Sequence, residues 1–158
     1  MRRTQSISLS CDCEQAGHLL FQLIYTSREF RPMTDADLKR IVSHSQTRNQ
    51  QDGVTGFLYY SGGTFLQILE GEEAVVRATF ARIQDDFRHT IASVLVEGPA
   101  EERLFSDWSM EVANPKKTSA IMHAFFQSDR DLDLTKLDDE KALLLLDAFS
   151  LTNKALLL

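Results

Sequence analysis

Positive charge, cysteine and long apolar runs are all scarce in this chain of 158 residues, and each shortage removes a class of function. The net charge is −6 and no Lys/Arg cluster is longer than Lys116-Lys117, which argues against direct contact with nucleic acid or an anionic membrane. No apolar run approaches the roughly 18 to 20 residues of a membrane-spanning helix, and the opening Met-Arg-Arg-Thr-Gln-Ser-Ile-Ser lacks the apolar core of a signal peptide. The cytoplasm is the expected location. Cys11 and Cys13 form a lone Cys-x-Cys with His18 nearby, short of the four ligands a structural metal wants, so reduced thiols are expected. Conventional catalytic groupings are missing too: there is no Walker loop, His-Glu-x-x-His or Gly-x-Ser-x-Gly, and His18, His44, His89 and His123 keep no metal spacing. Neither an internal repeat nor a low-complexity linker occurs.

The chain is organised around residues 53–71. Two β-rich runs, Val54 to Tyr60 and Thr64 to Leu69, flank Ser61-Gly62-Gly63, and paired glycines between such runs signal a hairpin because they tolerate positive φ. The second run is apolar on both parities, Phe65 and Leu69 against Leu66 and Ile68, so it belongs inside a sheet covered on both faces. Gln67 lies in the middle of that run. A buried primary amide costs about 1 to 3 kcal/mol for each polar group left unpaired, so it needs a polar partner.

Residues 1–17 are polar and without period, and read as a leader. Leu19 to Tyr25 fits a first, central strand with Phe21, Leu23 and Tyr25 on one face and Leu20, Gln22 and Ile24 on the other. Thr34 with Asp37 forms a capping-box pattern, and Leu38, Ile41, Val42, Ser45 and Asn49 recur at helical spacing, which points Asn49 inward near the sheet. Glu72-Glu73 opens a second helix with a stripe of Val76, Phe80, Ile83 and Phe87, ending near Asp85-Asp86. Ile91 to Val96 alternates as a strand broken by Gly98-Pro99, and Trp108, Met110 and Val112 mark a last short strand.

The order β-α-β-β-α-β-β predicts an α+β, ferredoxin-like sheet with two helices on one face and the first and third strands as central neighbours. Residues 18–113 form the main domain. Residues 114–158 supply a helical cap for the other face, through one helix around Ile121, Phe125 and Phe126 and another from Asp138 to Phe149. The terminal Ala155-Leu-Leu-Leu158 packs either as an internal cap or on a neighbouring copy, making a homo-oligomer a second expectation. Tyr25, Gln67 and Asn49 would then converge in an apolar chamber, where two amides suit the edge of a flat heterocycle and equally suit one another in a core.

The ordered set Leu23-Ile-Tyr25-Thr-Ser, Asn49 followed by Gly53-Val-Thr-Gly, Phe65-Leu-Gln67-Ile-Leu-Glu-Gly71, Asp86-Phe-Arg-His89 and Trp108-Ser-Met110 resembles the BLUF domains, blue-light receptors using FAD. It spans residues 19 to 113 with the family's spacing. The resemblance implies a flavin, FAD or else FMN or riboflavin, between the two helices and the sheet. Asn49 would bind its N3 and C4 carbonyl edge, and Gln67 would bridge Tyr25 to the ring. It further implies that blue light drives electron and proton transfer from Tyr25, that Gln67 rearranges, and that the absorption shifts slightly to the red without lasting redox change. The signal would leave through the last strand, where Trp108 or Met110 changes place, toward a downstream protein. Arg82, Asp86, Arg88 and His89 match the stretch that reaches the ribityl and phosphate end, and Arg48 a variable polar position near the ring. Ile41, Ser45, Phe65 and Ile83 would line the pocket, as the fold requires of them in any case.

Such a chain is expected to be a photoreceptor without enzymatic output. A flavin- or ligand-binding module not driven by light is the alternative. An acylphosphatase-like hydrolase on the same frame would need a glycine-bearing phosphate cradle after the first strand, and the loop from Thr26 to Thr34 holds Arg28 and Arg31 but no glycine.

Overall fold

In the computed structural model, which describes residues 19–113 and 132–156, the paired glycines do what the hairpin needs. Gly62 and Gly63 both take positive φ, 54° and 74°, and close the two-residue turn between β2 (Thr55–Ser61) and β3 (Thr64–Glu72). β3 is buried along nearly its whole length, as its apolar residues on both parities require. It pairs antiparallel with β2 on one side and with β1 (Leu20–Glu29) on the other.

The five strands lie in the order β4-β1-β3-β2-β5, with β4 (His89–Pro99) at one edge and β5 (Glu111–Ala113), parallel to β2, at the other. α1 (Asp35–Asp52) and α2 (Glu73–Gln84) return the chain between strands on one face. Their core contains Phe21, Leu23, Tyr25, Phe65, Leu69, Val76 and Phe80. The opposite face buries Ile24, Phe57, Leu66 and Ile68 beneath a 3-10 turn (Leu134–Lys136) and α3 (Asp139–Leu156), which contributes Ala142, Leu145, Leu146 and Phe149. This is the expected α+β sandwich, with a helix on the second face.

The capping box at Thr34 forms in full: the Thr34 hydroxyl accepts from the Asp37 amide and the Asp37 carboxylate accepts from the Thr34 amide. Gly53, in the left-handed region at φ 68°, ends α1. Four expectations need correction. The strand read from Ile91 to Val96 is not broken at Gly98-Pro99 but runs from His89 through both, paired with Gln22 and Phe21 of β1. The first strand does not stop at Tyr25 but runs to Glu29, because its pairing with β3 continues through Arg28 opposite Thr64. Phe87 is no part of the α2 stripe; the helix ends at Gln84 and Phe87 stands 81% exposed beyond it. Trp108 and Met110 precede the last strand, which holds only Glu111 to Ala113. The expected helix around Ile121, Phe125 and Phe126, the Cys11/Cys13 leader and the last two leucines lie outside the described residues.

Candidate functional site

Register places the central pair. Tyr25 and Gln67 are direct cross-strand partners on β1 and β3, both on the face covered by α1 and α2, and the Tyr25 hydroxyl donates to Gln67 Oε1. Tyr25 is 1% exposed, and burial pushes its phenol far above the ordinary tyrosine range, with the negative charge of Asp86 acting in the same direction. The residue therefore stays a neutral donor. The amide end of Gln67 reaches only a weak acceptor, Met110 Sδ at 3.7 Å.

A two-lobed chamber opens above this pair. Its inner lobe, about 120 Å³, is lined by Tyr25, Ile41, Ser45, Phe65, Gln67, Ile83, Asp86, Arg88, His89 and Met110. The outer lobe, about 480 Å³, shares Ser45, Gln67, Ile83, Asp86, Arg88 and Met110 with it and adds Arg48, Asn49 and Arg82. Together the lobes reach the size range of small-molecule sites, roughly 300 to 1,000 Å³, with the usual mixture of apolar wall and a few convergent polar groups.

Asn49, 3% exposed, points inward as its helical phase predicts. It does not bond to Tyr25 or Gln67. Its Nδ2 donates to Ser109 O at 2.7 Å, and the neighbouring Gln46 Nε2 donates to Met110 O at 2.8 Å, so α1 holds the segment before β5 by two side-chain amides. Asn49 Oδ1 is left for a donor from elsewhere.

The charged rim is partly self-paired. Arg88 binds Asp86 through its side chain and backbone, and these hydrogen bonds hold the Asp86 carboxyl below its usual range against the opposing effect of burial. Arg82 donates to Asp52 at 3.2 Å and to Thr79 at 3.0 Å, tying α2 to the end of α1. Burial lowers the His89 pKa, with nearby Asp86 opposing, and its Nδ1 is a buried polar atom without a protein partner.

Thirteen of the fourteen expected site residues therefore line the two lobes. Trp108 is the exception. It packs on the far side of the sheet, stacked with Phe57 at 6.2 Å and Phe105 at 5.6 Å, while Met110 takes the chamber side beside Gln67. The sequence reading missed Ser27, Met33, His44, Thr47, Leu58, Leu69 and Thr79 as lining. Ser27 shares the parity of Tyr25, and His44 and Thr47 fall on the flank of the Ile41–Ser45–Asn49 stripe, so both kinds of periodicity carried the signal.

A chamber lined by apolar side chains, with the amides of Gln67 and Asn49 and a buried phenol among its walls, defines a binding module for a flat, hydrogen-bonding heterocycle, built on a ferredoxin-like sheet. The family model described as "Sensors of blue-light using FAD" matches residues 20–111, and the chain belongs to this BLUF family. It is 37% identical over 95 residues to photoactivated adenylate cyclase subunit beta of Euglena gracilis, covering 60% of this chain and 11% of that protein. With the blue light- and temperature-regulated antirepressor BluF of Escherichia coli (strain K12) it shares 35% identity, covering 60% of this chain and 23% of that protein. The dark-state structure of BlrB, a BLUF protein, superposes with a TM-score of 0.71 at 30% identity, covering 85% of this chain and 98% of that one. The chain thus spans about a tenth of the length of the adenylate cyclase subunits it resembles.

The residues present fit a flavin. The orphaned His89 Nδ1, the weakly engaged Gln67 Nε2 and the uncommitted Asn49 Oδ1 offer polar contacts along the two lobes. Among the described residues no group of His, Cys, Asp and Glu could hold a metal ion, and no helix is long and apolar enough to cross a membrane.

Proposed function

We propose that this BLUF chain binds FAD and that Tyr25 and Gln67 carry its response to blue light, with Asn49 fixing the ring. The observation that supports this most is the buried hydrogen bond from the Tyr25 hydroxyl to Gln67 Oε1, between cross-strand partners at the floor of the chamber. Bound there, a flavin supplies blue-light absorption and a temporary electron acceptor. Tyr25 would be the donor of the electron and of the hydroxyl proton, Gln67, bonded to that hydroxyl, would carry the proton on its amide, and both would return to Tyr25. Gln67 is left with its donor and acceptor ends exchanged. An amide suits this because the exchange moves no net charge, so two nearly equal hydrogen-bond networks can be switched by a small input. Met110 senses the exchange, since its sulfur is the present partner of Gln67 Nε2.

Arg48, Arg82, Arg88 and His89 line the chamber where they can meet the ribityl chain and phosphates, which favours FAD or FMN over riboflavin. The chain acts as a sensor and not as an enzyme. It passes its signal through residues 108–113 and α3 to a protein partner or a second copy. Purification of Gln67→Leu in the dark tests the switch. The variant keeps its flavin and loses the light-induced red shift; a normal red shift in it overturns the assignment.

A further inference from the structure

Glu70 is fully buried yet sits on the face of β3 opposite Gln67, with the parity of Leu66 and Ile68. The chamber does not use it. Its carboxylate is saturated: Oε1 accepts from Leu104 N at 2.7 Å and Gln22 Nε2 at 3.0 Å, and Oε2 from Phe105 N at 3.1 Å and Thr55 Oγ1 at 2.8 Å. Four donors fill the acceptor sites of an ionised carboxylate, which is what keeps a buried charge tolerable. Beside it, Arg103 reaches Thr55 Oγ1 and Glu70 O at 2.8 and 2.9 Å and Gly53 O at 3.0 Å. Residues 103–105 are therefore bonded to the central strand on the side away from the light-sensing pair.

The same segment is held quite differently a few residues on. Trp108 O accepts from Gly56 N at 3.0 Å, but Ser109 O and Met110 O are held by Asn49 and Gln46, and Met110 Sδ by Gln67, all side-chain amides in or beside the chamber. One end of the segment is tied to a buried charge, the other to groups that a change at Gln67 disturbs. Between them, Trp108 N bonds back to Phe105 O at 3.1 Å and its ring stacks on Phe105.

We propose that Glu70 is a positioning residue for the light response: it is the fixed anchor that turns a change at Gln67 and Met110 into a defined displacement of Trp108 and β5. This rests on the photochemical reading above. Replacing the carboxylate by an amide leaves one acceptor oxygen for two backbone N–H groups, so Glu70→Gln unfastens Leu104 or Phe105 while leaving every chamber group in place. The loosened segment crosses between its two arrangements more easily.

Dark recovery of Glu70→Gln is expected to be about tenfold faster than in the parent, the effect of roughly one lost charge-assisted hydrogen bond, with flavin content and red-shift size unchanged. Trp108 is the chain's single tryptophan, so its emission reports the anchor directly and moves to the red in the dark. Thr55→Val is the control for general destabilisation. It removes another donor to the same carboxylate and one of the three Arg103 bonds, but keeps both backbone bonds to Glu70 and the Arg103 bonds to Glu70 O and Gly53 O, and its recovery should stay within about twofold of the parent. Arg103→Gln replaces Glu70→Gln if the latter does not fold, with the same expected direction. Parent-like recovery and emission in the anchor variants overturns the proposal, as does recovery that merely tracks melting temperature across all of them. A red-shifted Trp108 emission in Glu70→Gln, beside a parent that shows no light response at all, would keep Glu70 as the anchor of residues 104–108 and overturn the photochemical reading on which its role in the response rests.

Discussion

Gln67 and Tyr25 gain their properties from where the strands place them. Burial leaves the Tyr25 phenol with a proton that the folded protein holds more tightly than the unfolded chain does, since its pKa is raised on folding. The stability linked to that proton is complete below the unfolded tyrosine value of about 10 and declines above it, by up to about 1.4 kcal/mol per pH unit. Urea unfolding across pH 9 to 11 should therefore show a steeper loss in the parent than in Tyr25→Phe. Equal slopes would mean that the phenol is not held as the structure places it. Asn49→Ala removes both the tie to Ser109 O and the proposed contact to the flavin, and flavin retention is expected to fall by about tenfold or more. Unchanged occupancy after gel filtration would remove Asn49 from the binding set.

At the scale of elements, Gly56 shows how closely the segment before β5 is fitted. A Cβ there would stand 2.3 Å from Ile68 O and 3.2 Å from the Met110 methyl, so Gly56→Ala must part β2 from β3 and also presses on Met110. A loss of about 1 to 3 kcal/mol in denaturant unfolding is expected, as for other overpacked core positions, and an unchanged midpoint would contradict the packing. Alternation and helical spacing made the central strands, both covering helices and the inward aim of Asn49 legible in the sequence, because burial on one or two faces writes itself into the period of apolar residues. Phe87 was misread for the same reason: it continues the helical phase past Gln84, where the helix has already ended. Trp108 and Met110 also look alike by parity, yet a short bend before β5 sends the tryptophan to one side of the sheet and the methionine to the other. Glu70 shares the parity of Leu66 and Ile68, yet periodicity says nothing of what it or Gln46 does, since their roles depend on hydrogen bonds to a backbone segment far along the chain.

For the molecule as a whole, the sheet has two differently covered faces joined by one segment. The chamber lies under α1 and α2, while α3 and the 3-10 turn close the other side, pinned at the hairpin end by Leu132 N to Ser61 Oγ, Leu134 N to Thr64 Oγ1 and the Arg28–Asp133 pair. Because Arg28 and Asp133 are partly exposed, their ion pair alone contributes little, about 0 to 1 kcal/mol, and apolar burial on α3 holds the cap. The sequence motifs gave the family and the chamber residues together, whereas the route between the two faces came from the structure. The most direct measurement is the visible absorption spectrum of the purified protein kept in the dark, taken again immediately after blue light and then during recovery. A flavin spectrum that moves slightly to the red without bleaching, and returns in the dark, is the predicted result; a flavin band that stays unchanged or bleaches would contradict a hydrogen-bond switch at Gln67.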